Sequence, residues 1–203
     1  MYRLINQYAQ EVVKEYAKEG EEFDPVYASL IQNMAQVGTS DYQRIYRKHW
    51  TMNQSQLSPD FYTTYFSVLD GAVKTAPTLE KVIQTLYSAS VRRNGQKSIQ
   101  FSFATKLLHM VDQHLPIYDS QVAEFYFFQV PTGESEERLA KLTRFYEFLK
   151  AEYARVLKDG LLDKSIQEVR HSFPNSKLTD EKIIDSLIWA FINLLHKGQI
   201  TYR

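Results

Sequence analysis

The residues of this chain best suited to chemistry fall between positions 91 and 128. Asp119 follows Pro116-Ile117-Tyr118 and opens a helical pattern in which Val122, Ala123, Tyr126 and Phe127 share one face, with Asp119 as the natural N-cap. A carboxylate there lies within reach of unpaired amides, and the positive helix end favours its ionised form. Its minimal role is a cap contributing about 0.5–2 kcal/mol. Just ahead lies a basic turn, Val91-Arg92-Arg93-Asn94-Gly95-Gln96-Lys97. Its Arg92, Arg93 and Lys97 could clamp phosphates, or the turn could be an ordinary solvated loop. Arg44, Arg47 and Lys48, interleaved with Tyr42, Tyr46 and Trp50, offer the same choice between neutralising a backbone beside stacking rings and lining a helix whose rings are core. His109, Asp112 and His114 invite a metal reading. The histidines are five apart, however, and point to different sides of a helix, whereas a helical two-histidine site needs four.

Helices must position all of these groups. Phe103, Leu107, Leu108 and Val111 recur at helical spacing after a polar start at Ser98, and Pro116 stops that helix from running on. Leu4, Ile5, Tyr8, Val12 and Tyr16 make one stripe ended by Gly20. Asp24-Pro25 and Ser58-Pro59 are cap-proline starts, the first helix closing at Gly38 and the second running to Gly71. Ser40, Thr78, Ser135 and Thr179 start further helices, the one from Ser135 stopping at Gly160, and a short helix carries Ile166, Val169 and Phe173. No alternating pattern is long enough for a sheet. The expected fold is therefore all-α, one multi-helix domain over 1–203 built from two packed lobes, with a lobe boundary near 129–135 where Pro131 and Gly133 interrupt the pattern.

At Ala104-Thr105-Lys106-Leu107-Leu108, Pro116-Ile117-Tyr118 and Asp119-Ser120-Gln121-Val122 the chain resembles the helix-hairpin-helix DNA glycosylase superfamily, over about thirty residues. The resemblance implies a monofunctional N-glycosylase that releases a damaged base, with Asp119 stabilising a cationic sugar and helping a water attack. It implies double-stranded DNA as partner, with Arg92, Arg93, Lys97, Ser102 and Lys106 as substrate- or DNA-binding residues. The chain departs from the family at the hairpin, where Ile99-Gln100-Phe101-Ser102 holds no glycine to let amides approach a phosphate. Ser102 stands where lyase-capable members carry lysine, and Lys106 lies one turn further on. Two other readings keep the same helices: a noncatalytic nucleic-acid binder, and a helical protein-interaction module.

Composition sets the remaining bounds. The 203 residues suffice for a substantial core. Lys plus Arg and Asp plus Glu number 24 each, so any polyanion must be drawn by a local patch. There is no cysteine, which excludes a thiolate iron–sulfur cluster and disulfides; glycine-rich phosphate loops and nucleophile elbows are absent too, and no cofactor or metal is expected. No apolar run approaches the roughly 20 residues of a membrane span. The amino-terminal segment reads as an amphipathic helix, so a cytoplasmic protein without membrane association is expected.

Overall fold

Five helices begin where a side-chain oxygen meets an orphan amide. In the computed structural model, which describes residues 1–17, 23–89 and 97–201, Thr39, Ser58, Thr78, Asp119 and Thr179 accept from the backbone N–H of Tyr42, Phe61, Lys81, Val122 and Lys182. Each bond satisfies one of the donors that a helix start leaves unpaired. The described residues form α1 (Tyr2–Gln7), α2 (Ala9–Tyr16), α3 (Pro25–Gln32), α4 (Ser40–His49), α5 (Pro59–Thr75), α6 (Leu79–Ala89), α7 (Phe101–Val111), α8 (Ser120–Phe125), α9 (Ser135–Lys158), α10 (Asp163–Ser172) and α11 (Asp180–His196). Two 3-10 turns, Met34–Gln36 and Met52–Ser55, complete them. Among the described residues the fold is all-α without strands, and no helix is long and apolar enough to cross a membrane.

The chain divides into two compact units. One joins residues 1–25 to 114–203, and the other comprises Val26–Gln113. The 129–135 segment lies inside the first.

In the first unit α11 packs against α2, α8, α9 and α10. Its sides are almost all buried, from Lys182 through Leu194, as expected of a central helix. In the second unit α5, α6 and α7 pack on one another. Their core includes Phe61, Tyr65, Leu69, Val82, Leu86, Ala104 and Leu107. Tyr46 and Tyr65 hydroxyls lie 2.8 Å apart, and Tyr65 donates onward to Phe103 O at 3.0 Å. Both rings are sealed from solvent, so the chain of hydroxyls has no water to fall back on. Tyr65→Phe should cost about 1–3 kcal/mol in urea unfolding, because it strands the Tyr46 hydroxyl; an unchanged midpoint would refute that.

Several helix boundaries differ from the sequence expectation, for local reasons. The first stripe is two helices, since Tyr8 (φ −104°, ψ 32°) breaks the ladder, and the second ends at Tyr16, with Gly20 outside the described residues. α3 ends at Gln32, with a 3-10 turn before Gly38. α5 runs through Gly71 to Thr75, where Ala76 turns left-handed. Glycine in a helix interior costs about 0.5–1 kcal/mol but does not forbid helix. Thr39 rather than Ser40 caps α4, and Glu134 rather than Ser135 precedes α9. α7 ends at Val111, ahead of Pro116, because Asp112 is extended. α8 stops at Phe125; Phe128 N–H bonds to Ala123 O at 2.8 Å, closing the helix with Phe127 left-handed and 75% exposed rather than on the buried face.

Candidate functional site

Pro116, Ile117 and Tyr118 are buried, and they fix the approach to Asp119. Tyr146, on α9, donates to Pro116 O at 3.1 Å. Tyr118 meets the rings of Phe128 and Phe145 edge-on, at 6.4 and 5.9 Å. The aspartate that follows is held in extended backbone (φ −145°, ψ −177°). Its Oδ1 accepts the Val122 amide at 2.9 Å, and the side chain is half-buried. Asp119 is thus the N-cap the sequence foretold, on a six-residue helix.

Two phenols feel its charge. Burial first, then Asp119, push the Tyr118 hydroxyl up from its ordinary value. Burial also raises Tyr153, with Asp185, Tyr126 and Asp119 adding to it. Both phenols therefore stay protonated around neutral pH and can only donate toward a carboxylate. The Tyr153 hydroxyl is buried and has no hydrogen-bond partner among the described residues. Tyr153→Phe should leave stability unchanged or raise it by up to about 1 kcal/mol, since it removes a desolvated group without breaking a bond; a loss in thermal or urea unfolding would contradict this.

Of the other sequence candidates, Lys97, Ser102, Lys106 and His109 lie in the second unit. Arg92 and Arg93 fall outside the described residues. Lys97 is exposed, its ammonium 5.5 Å from the Tyr87 ring centroid. Ser102 is half-buried in the first turn of α7. Lys106 is only 8% exposed, its ammonium over the faces of Trp50 and Phe103 at 5.4 and 5.7 Å. His109 is buried and paired through Nε2 with the Tyr27 hydroxyl at 2.8 Å. His114, in the first unit, instead meets Glu181 at 3.1 Å. Of the α4 pattern, Tyr42, Tyr46 and Trp50 are core, while Arg44 and Lys48 are exposed and Arg47 half-exposed.

Sequence reasoning missed two features. The first is a buried ionic cluster in the first unit, centred on Lys182, which is 2% exposed. Its Nζ donates to Tyr16 Oη at 3.0 Å and Ser186 Oγ at 3.1 Å, and lies 3.8 Å from Asp24 Oδ2 and 3.6 Å from Asp185 Oδ2. Burial pulls the amine down, but Tyr16, Asp185 and Asp24 together outweigh it and hold Lys182 above the usual lysine range. The available signal was spacing: Lys182, Asp185 and Ser186 stand three and four apart on a largely apolar helix, hence on one face.

The second is the distribution of charge. Val26–Gln113 carries nine lysines and arginines against five aspartates and glutamates, a formal charge of +4. The remaining residues carry fifteen against nineteen, or −4. The neutral total therefore conceals a basic unit and an acidic one. Comparison with protein families, curated proteins and solved structures finds no match to this chain.

Proposed function

We propose that this chain is a monofunctional DNA N-glycosylase acting on a damaged base. The supporting observation is Asp119, a half-buried carboxylate that is oriented by one amide bond and whose charge is felt by two protonated phenols, Tyr118 and Tyr153. In the proposed reaction the bond between sugar C1′ and the base nitrogen breaks, its electron pair leaving with the base. The sugar becomes an oxocarbenium-like cation, whose developing charge the Asp119 carboxylate stabilises. Water then adds its oxygen to C1′ and gives up a proton, while the released base nitrogen gains one. With Ser102 at the family's amine position, strand cleavage through an imine is not part of this proposal. Arg92, Arg93 and Lys97 are assigned to phosphate contacts.

Charge segregation favours a second reading, a noncatalytic nucleic-acid binder. There the basic unit carries the binding and Asp119 only caps α8. One experiment separates the two. Duplexes bearing different damaged bases are incubated with the chain and scored for abasic sites; formation on at least one lesion, lost in Asp119→Asn, supports the enzyme. Salt-dependent binding without any abasic site supports the binder.

A further inference from the structure

The turn between α4 and α5 holds two backbone conformations that side-chain-bearing residues rarely adopt. Thr51 (φ 52°) and Gln56 (φ 53°) are both left-handed. A β-branched residue such as Thr51 is a genuine outlier there, and such strain persists only where the surroundings enforce it. Here they do. Trp50, Met52 and Leu57 are buried anchors. Tyr62 Oη and Ser55 Oγ both donate to Met52 O, at 3.0 and 2.5 Å, and Thr51 Oγ1 donates to Trp50 O at 2.8 Å. The turn so fixed presents Asn53, Gln54 and Gln56, all exposed. It follows the last turn of α4, which carries Arg47 and Lys48.

We infer that the end of α4 and the Thr51–Gln56 turn form a contact surface for duplex DNA. Arg47 and Lys48 neutralise phosphates, and the carboxamides of Asn53, Gln54 and Gln56 bond to backbone oxygens and groove-edge base atoms. The surface belongs to the unit of formal charge +4, which a polyanion complements. Arg47 is already ordered: its guanidinium lies 5.2 Å from the Tyr62 ring centroid, and its Nε donates to Gln43 O at 3.4 Å. Single strands are gripped by stacking on exposed rings. In this stretch Trp50 is buried and Tyr62 lies under Arg47, so the exposed groups suit backbone and groove edges instead. The inference deepens the proposed function and rests on it only for the choice of DNA as the nucleic acid.

The test is fluorescence-anisotropy binding of the full chain to a short DNA duplex from about 50 to 200 mM salt. Single-stranded DNA and duplex RNA of the same sequence serve as the other arms. Arg47→Ala with Lys48→Ala should reduce the slope of log affinity against log salt by about 1.8 and weaken binding about tenfold or more at low salt. Asn53→Ala, Gln54→Ala and Gln56→Ala combined should weaken binding about tenfold with the slope unchanged. Gln56→Gly removes one carboxamide and the strain together, so its affinity should fall while its Tm rises by roughly 2–4 °C. Unchanged slope and affinity in the double variant, with its Tm retained, would overturn the inference, as would tighter wild-type binding to single strands or duplex RNA. Base release is scored separately. Loop-dependent binding without release sinks only the enzyme proposal, and release insensitive to the loop variants sinks only this surface.

Discussion

Asp119→Asn is expected to reduce abasic-site formation by about 10²–10³-fold while leaving the fold and duplex affinity intact. The substitution is clean because asparagine is as good an N-cap as aspartate. Its carboxamide oxygen keeps the bond that Asp119 Oδ1 now accepts from Val122 at 2.9 Å. Only the negative charge disappears. Asp119→Ala would be less informative, since it also forfeits the cap and about 1 kcal/mol of stability. If charge beneath a cationic sugar is the role of this residue, loss of release should appear in the single-turnover rate, with binding preserved. Wild-type release from the Asn variant would reduce Asp119 to a structural cap.

Lys182→Met should be the most damaging single change to stability, about 3–5 kcal/mol in urea unfolding at neutral pH. The ammonium is sealed between α2 and α11, within 4 Å of two carboxylates, and also donates to Tyr16 and Ser186. Methionine fills similar volume, but it leaves Asp24 and Asp185 as buried anions without the cation between them. Adding Asp24→Asn and Asp185→Asn should restore part of the loss, because the penalty belongs to the stranded charges and not to the missing amine. A loss below about 1 kcal/mol would mean that water reaches the cluster. The pH dependence follows from the direction of the shift. Lys182 is held above its ordinary range in the folded protein, so its stabilisation is complete below the ordinary lysine value of about 10.4 and is lost as pH rises through the folded value. Its titration should therefore leave stability flat between about pH 7 and 10.

Much of the helical plan was legible. Ser58-Pro59, Thr179 and Asp119 start helices because a short polar side chain caps its own neighbourhood, and no tertiary partner is needed for that. Helix ends were read less well. Gly71 looked like a stop, but apolar packing of α5 carries the helix past it. Phe127 looked buried, but the closing bond from Phe128 to Ala123 turns it outward.

The candidate site divides in the same way. That Asp119 would be an oriented carboxylate was readable, since both the residue and its amide partner lie within four positions of one another. That Tyr118 and Tyr153 would feel its charge was only half readable, because Tyr153 comes from α9. The strain at Thr51 and Gln56 left no mark in composition or periodicity. It is imposed by Trp50, Met52 and Leu57 turning inward and by the Tyr62 hydroxyl.

What the amino-acid sequence determined alone is whatever short-range physics controls: helix starts, apolar stripes, the all-α plan of the described residues, and a capping carboxylate at position 119. Tertiary structure decided which charges are buried together and which share a unit. Lys182 meets Asp24 across more than 150 residues of chain, and a neutral composition resolves into units of +4 and −4. Desolvation and Coulomb energy depend on separation in space, and spacing along a folded chain does not report that distance.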